Sequence, residues 1–160
     1  MRVVLDTNIL VRAAGNEQGL AGRLLQEIVS GSHVLVSSLY ILSEIARVLA
    51  YPRLQARWQL SEEMVTEFVS RVGDIAEIVV TTTPDRVVTA DPDDDPIVQT
   101  AVLGRVDVLC TRDAHVLETA VVKYCAGHGI QVMNDIDLYH ILTGRPMGGP
   151  KTGARHEFPA

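Results

Sequence analysis

Aromatic residues and cysteines are scarce in this 160-residue chain. Aromatic side chains make up 4% of it, and the two cysteines, Cys110 and Cys125, stand in apolar surroundings without metal-ligand spacing. So few aromatics exclude a basic-aromatic platform on which single-stranded bases could stack. The two cysteines are predicted to be free, buried thiols, as is usual in a reducing cytoplasm.

Long hydrophobic runs are also missing. No apolar stretch approaches the ~18 residues that a membrane span needs, which predicts no membrane association. The apolar segment before Asp6 is too short for a signal peptide, so we expect a cytoplasmic protein. Hydrophobic residues nevertheless make up 47% of the chain, enough to fill the core of one domain, mainly with aliphatic side chains.

The net charge of -6 is unevenly distributed along the chain. There are 20 acidic and 14 basic residues. Seven acids account for the whole excess, namely Asp6, Glu44, Asp91, Asp93, Asp94, Asp95 and Asp113. A surface that is acidic everywhere repels nucleic acid, whereas a local acidic cluster can bind metal ions.

Short apolar runs alternate with helical patterns from the first residues onward. The patterns predict strands over 2–5, 33–36, 77–81, 106–111 and 130–133, and helices over 19–31, 37–50, 61–72, 97–103, 117–126 and 135–142. The 37–50 helix is expected to be capped by Ser37 or Ser38, and the 61–72 helix is expected to begin with a cap at Ser61. A turn is expected at Asp6-Thr7-Asn8. Strands that are apolar throughout indicate a parallel sheet covered on both faces. We predict a three-layer α/β/α sandwich around five parallel strands.

Two regions differ in composition. Residues 1–143 carry the alternating pattern and are predicted to form one domain. Residues 144–160 are rich in Gly and Pro, lack apolar periodicity and carry a small positive charge. They are predicted to form a flexible C-terminal tail, which either binds RNA phosphates or an acidic partner or is an inert extension.

Four acids occupy positions that parallel α/β sheets use for ligands. Asp6 and Asp113 directly follow predicted strands, and Asp94 precedes a helix. Ligands bind at the carboxyl ends of such strands, where the strand order reverses. Glu44 shares a helix face with apolar neighbours, where an unpaired carboxylate is costly.

Each of these acids also has a simpler explanation. Asp6 could belong to an ordinary turn, Glu44 could pair with Arg47, and Asp113 could cap the turn before His115. The other loop aspartates could simply be solvated, and Asp95, before Pro96, is best explained as a helix N-cap. Their joint placement at one end of one sheet favours a shared site.

Several carboxylates in one pocket repel one another unless cations neutralise them. Oxygen ligands favour Mg²⁺ or Mn²⁺, and no His or Cys is expected to join the set. Such an ion can activate a water and stabilise the leaving oxygen of a phosphodiester.

The sequence resembles the PIN-domain family. The matching segments are Val-Val-Leu-Asp6-Thr7-Asn8-Ile9-Leu10, Ser43-Glu44-Ile45, Asp91-Pro92-Asp93-Asp94 with Ile97 and Ala101, and Thr111-Arg112-Asp113. The resemblance covers residues 1–143 and implies an α/β/α ribonuclease whose catalytic and metal-binding acids are Asp6, Glu44, Asp94 and Asp113. It implies supporting positions at Asn8 and Thr111, with Asp91 and Asp95 beside the acids. The segment Tyr51-Pro52-Arg53-Leu54 and the Asp-Pro-Asp-Asp loop are most similar to the toxins of toxin–antitoxin pairs.

The sequence is also compatible with other functions. A nuclease of RNA processing or decay would carry the same acids, and a non-catalytic RNA- or protein-binding module would keep the fold. An aspartyl phosphatase usually has a second acid where this chain has Asn8, and a receiver domain requires an aspartate where it has Thr81-Thr82-Thr83. The expected partners are RNA, a small antitoxin protein and a second copy of the chain. RNA contacts are expected from Arg12, Arg47, Arg53, Arg57 and Arg112.

Overall fold

The computed structural model of the protein describes residues 1–144. Five strands and eight α-helices alternate along this part of the chain. In order they are β1 Arg2–Leu5, α1 Thr7–Gly15, α2 Leu20–Ser30, β2 Val34–Ser38, α3 Leu39–Leu49, α4 Pro52–Trp58, α5 Glu62–Ile75, β3 Glu77–Val79, α6 Asp95–Leu103, β4 Val108–Cys110, α7 Thr119–Gly127, β5 Gln131–Met133 and α8 Asp135–Thr143. A short 3₁₀ turn, Pro92–Asp94, leads into α6.

The strands form one parallel sheet in the order β3-β2-β1-β4-β5. The chain moves outward from β1 through β2 to β3 and then crosses back to β4 on the other side of β1. Because parallel crossovers are right-handed, this reversal places helices on both faces of the sheet. The architecture is the α/β/α sandwich that the alternating pattern predicts.

The sheet centre is buried because strands covered on both faces have no polar side. Val3, Val4 and Leu5 of β1 are almost inaccessible to solvent. Their register places Leu5 opposite Cys110 of β4. Cys110 and Cys125 are free and buried, as predicted, and burial raises the pKa of both thiols.

Capping and breaking residues explain most helix boundaries. The Ser38 side chain accepts the Ile41 N–H, and the Ser61 side chain accepts the Met64 N–H, so both predicted caps are confirmed. The left-handed turn at Gly144, with φ 62°, ends α8. Residues 145–160, which include most of the predicted tail, lie outside the described residues.

Two helices differ from the sequence prediction. The segment after Asp6, predicted as a turn, is α1, and α4 follows the break at Tyr51-Pro52. Pro52 stands in the first turn of α4, where proline is tolerated because its missing N–H has no partner there. The predicted strands at 77–81 and 106–111 are also longer than the observed β3 and β4. Within residues 1–144, none of the helices has the length and apolar character to cross a membrane.

Candidate active site

A cleft of about 470 Å³ opens at the carboxyl end of the sheet. It lies beyond β1 and β4, the neighbouring strands between which the chain order reverses, which is the usual ligand position in such folds. Asp6, Glu44, Asp94 and Asp113 all line it, together with Asp91. The structure therefore brings together four side chains that are spread over more than a hundred residues of sequence.

Asp6 forms the floor of this acidic cleft. It follows β1, is 2% exposed, and its backbone N–H donates to the Cys110 carbonyl at 2.9 Å. Its Oδ2 accepts hydrogen bonds from the Asn8 amide at 2.9 Å and from the Thr111 hydroxyl. Burial raises the pKa of Asp6, and the hydrogen bond from Thr111 opposes part of that rise. The carboxylate is held in one orientation at an electrostatic cost.

Asp113 is fixed by the loop that follows β4. Its backbone N–H donates to the Thr111 hydroxyl at 2.9 Å, and its Oδ1 accepts the His115 N–H at 2.7 Å. Thr111 thus connects Asp6 and Asp113 through a single hydroxyl. The side chain of Asp113 caps the turn before His115, which the sequence analysis gave as the alternative to a site role. The same side chain also lines the cleft.

Asp94 is the acid whose ionisation is most disturbed. It ends the 3₁₀ turn before α6, and its Oδ2 is buried without a hydrogen-bond partner among residues 1–144. Burial, followed by the charges of Asp113, Asp6 and Asp91, raises the pKa of Asp94 to about 7. An orphaned carboxylate oxygen facing other carboxylates is the arrangement that a cation would relieve.

His115 corrects one expectation from the sequence. No histidine was expected near the acids, yet ligand atoms of Asp91, Asp94 and His115 all lie within 4.8 Å of one another. The His115 Nδ1 is buried without a hydrogen-bond partner in the described part of the chain. A nitrogen donor therefore lies beside the acids, contrary to the expectation of oxygen ligands alone.

Glu44 lies at the rim of the cleft, on α3, and its side chain is 25% exposed. Both of its carboxylate oxygens accept from the Arg47 guanidinium, at 3.0 and 2.8 Å, which lowers the pKa of Glu44. The pairing and the cleft position, which the sequence left as alternatives, occur together. On the same helix, the Tyr40 hydroxyl donates to the Asp93 carbonyl at 2.7 Å, and burial with nearby acids raises the pKa of Tyr40 to about 12.

Asp95 does not have the predicted N-cap role. It is the first residue of α6, is 3% exposed, and accepts the backbone N–H groups of Val87 and Val88 at 2.9 and 2.7 Å. Asp94 occupies the N-cap position instead and makes no capping hydrogen bond through its side chain. Asp95 anchors the 80s loop and lies outside the acidic cleft.

The apolar wall of the cleft was not anticipated. Leu54 and Trp58 of α4 line it, as does Val48 of α3. Proline after a helix break is a helix-start signal, so Pro52 could have revealed α4. Nothing local to Leu54 or Trp58 indicates that these residues line the same cleft as the acids. Of the five arginines expected near RNA, Arg12 and Arg47 line the cleft.

The family comparison agrees with this geometry. Residues 2–115, which contain the four acids, match the PIN domain. No curated protein and no solved structure matches the chain. PIN domains are generally nucleases, often metal-dependent, and act on RNA or other nucleic acid. With most of its length matched and the acids in one cleft at the switch point of the sheet, the chain belongs to the PIN-domain family.

Proposed function

We propose that this protein is a metal-dependent endoribonuclease that cleaves RNA phosphodiester bonds. The observation that supports it most is the convergence of Asp6, Glu44, Asp94 and Asp113 in one cleft, where Asp94 Oδ2 is buried without a partner among the described residues. We assign these four side chains the catalytic and metal-binding roles, with Asn8 and Thr111 orienting Asp6. Asp91 borders the site, and Asp95 acts only in the fold.

The donor set fits a hard divalent cation. Carboxylate oxygens predominate, and such ligands favour Mg²⁺ or Mn²⁺, with the His115 nitrogen as an additional donor beside Asp91 and Asp94. Arg47 competes for Glu44, so Glu44 becomes available to a metal only when the ion pair opens. We therefore place the tighter part of the site around Asp6, Asp94 and Asp113.

The side chains of the cleft have different proposed roles in the reaction. A bound divalent ion supplies an activated water and stabilises charge on the departing oxygen. Asn8 and Thr111 keep Asp6 facing the cleft. The Thr111–Asp6 hydrogen bond connects the ends of β1 and β4, and the Asp113 N–H to Thr111 bond fixes the loop that carries Asp113. Leu54 and Trp58 contribute apolar surface to the same cleft.

The test is cleavage of labelled RNA by the pure protein in Mn²⁺, in Mg²⁺ and in EDTA. We expect cleavage with metal and none in EDTA, and we expect Asp6→Asn to abolish it. Asp74→Asn is the matched control, because Asp74 is an exposed aspartate of α5 that does not line the cleft. If Asp6→Asn and wild-type protein cleave equally, the assigned site is wrong.

We further propose that the protein is the toxin of a cytoplasmic toxin–antitoxin pair. The support is the similarity of Tyr51-Pro52-Arg53-Leu54 and the Asp-Pro-Asp-Asp loop to that branch of the family. Induced expression should arrest growth, and coexpression of a small neighbouring gene should restore it. Growth without arrest, together with RNA cleavage in vitro, would favour a nuclease of RNA processing or decay.

A homodimer completes the proposal. Leu39, at the start of α3, and Met64, in α5, are large apolar side chains exposed to solvent. Closed two-fold pairing is the commonest way to cover such groups. Light scattering should report twice the monomer mass, and a monomer at tens of micromolar would contradict the expectation.

A further inference from the structure

A fully buried carboxylate lies beside the acidic cleft, and the catalytic proposal does not use it. Asp135 is the first residue of α8, two residues after the end of β5, and its side chain is 0% exposed. Its Oδ2 accepts from Arg12 Nη1 at 3.0 Å, and its Oδ1 accepts from Arg112 Nε at 2.5 Å. One buried acid therefore holds two arginines that are a hundred residues apart in sequence.

Both arginines remain accessible. Their side chains are 39% and 41% exposed, and each uses a single guanidinium nitrogen on Asp135. An arginine has five N–H donors arranged as a planar fork, so each retains donors that face away from Asp135. Two guanidinium groups against one carboxylate also leave a net positive charge at this position.

The arginine pair lies at the edge of the acidic cleft. Arg12 is in the last turn of α1 and lines the cleft itself, and Arg112 directly precedes Asp113 in the loop after β4. Asp135 carries one negative charge, and one arginine is enough to neutralise it. The second arginine goes beyond that need and adds a cationic fork next to the acids.

We infer that Arg12 and Arg112, positioned by Asp135, form a binding site for a backbone phosphate of the RNA strand. The inference rests on the proposed ribonuclease function and extends it to substrate binding. An RNA strand entering the cleft meets repulsion from the four acids, so a flanking phosphate needs a fixed cationic contact nearby. Arginine forks suit phosphate oxygens, and such contacts set the position of the strand without reading its sequence.

RNA binding in EDTA tests the site without cleavage. Fluorescence anisotropy with a short labelled single-stranded RNA gives the Kd of the full chain at several salt concentrations. We expect Arg12→Gln and Arg112→Gln each to weaken binding about tenfold and to reduce the salt slope by about 0.7, the value for one phosphate contact on a single strand. Arg71→Gln is the control, because Arg71 forms an exposed pair with Glu17 and does not line the cleft. Its Kd should match that of the wild type.

Asp135→Asn separates positioning from simple charge. Removing a negative charge should strengthen RNA binding if Asp135 acts only through the field of the protein. If Asp135 positions the two arginines, the same change should weaken binding several-fold and add little to Arg12→Gln, because the variants disturb one unit. Circular dichroism confirms the fold, and Arg112→Lys provides a second variant that keeps the charge and loses the fork.

Each outcome decides either the inference or the proposed function. Unchanged Kd values in Arg12→Gln and Arg112→Gln, or no RNA binding by the wild type, would overturn the phosphate site. A stronger affinity in Asp135→Asn would overturn the positioning role. If the arginine variants lose binding while wild-type protein never cleaves RNA with any metal, the phosphate site stands and the ribonuclease proposal fails.

Discussion

Replacing Asp94 by asparagine should stabilise the metal-free protein. The substitution keeps the shape of the side chain and removes one of several mutually repelling charges. Asp94 is the informative position because burial and the charges of Asp113, Asp6 and Asp91 raise its pKa from 3.8 to about 7. That rise measures how unfavourable the ionised form is in the folded protein.

The size of the effect follows from the same pKa. A pKa change of one corresponds to about 1.4 kcal/mol, so the rise in the Asp94 pKa corresponds to about 4 kcal/mol for a carboxylate shielded from solvent. Asp94 is partly exposed in an open cleft, so solvent screening reduces this to about 1–2 kcal/mol. The corresponding increase in Tm is about 3–6 °C for a chain of this length.

The sign of the pH dependence is fixed by linkage. The folded protein holds the Asp94 proton more tightly than the unfolded chain, so Asp94 contributes stability below about pH 4 that is lost as the pH rises to about 7. Asparagine cannot ionise. The stability difference between Asp94→Asn and wild type should therefore be small near pH 4, grow through pH 5 and 6, and stay constant above about pH 7.

The assay is thermal unfolding in EDTA across this pH range, with Asp93→Asn as the matched control. Asp93 lies in the same 3₁₀ turn but is exposed, so both variants lose one negative charge near the start of α6. Only Asp94→Asn should gain stability at high pH. Equal Tm values for Asp94→Asn and wild type at about pH 8, or a gain independent of pH, would refute the assignment of strain to this carboxylate.

Three further results are expected. Mn²⁺ should raise the Tm of the wild-type protein above its value in EDTA, because metal binding relieves the repulsion among the acids. The increase should be smaller in Asp94→Asn. Wild-type melting curves that coincide in EDTA and in Mn²⁺ at several metal concentrations would contradict this. Asp6→Asn should lose metal-dependent RNA cleavage while its circular dichroism stays that of the wild type, and retained cleavage would remove Asp6 from the site. Asp95→Ala should lower the free energy of unfolding by about 3 kcal/mol, because the Val87 and Val88 N–H groups lose a buried charged acceptor. Urea unfolding measures this free energy, and a decrease below about 1 kcal/mol would contradict the anchoring role of Asp95.

Local patterns in the sequence were sufficient to predict the five strands and six of the eight α-helices of residues 1–144, but not α1 or α4. Apolar runs gave all five strands, and Ser38 and Ser61 gave two helix starts, because caps and strand burial depend on neighbouring residues. The segment after Asp6 was predicted wrongly as a turn. Its first residues, Thr7 and Asn8, are poor helix formers, and the Asn8 side chain serves Asp6 rather than the helix.

Part of the candidate site could be predicted from the sequence, and part could not. Placement of Asp6 and Asp113 after strands, and of Asp94 before a helix, was enough to predict a common cleft, because parallel strands end at one edge. The role of Asp95 was not predictable, since its partners are the backbone N–H groups of a loop and not its own helix. His115 was also missed, because it approaches Asp91 and Asp94 only through the fold.

The sequence by itself therefore determined the parallel α/β architecture and the edge of the sheet at which the acids meet. Only the tertiary structure decided which polar atoms are satisfied and which are left for a ligand. Asp94 Oδ2 remains without a partner among residues 1–144, while Asp135 joins Arg12 and Arg112. The spacing of apolar residues indicates which face of a helix or strand is buried. Hydrogen bonds between residues more than a hundred positions apart depend instead on how the elements pack.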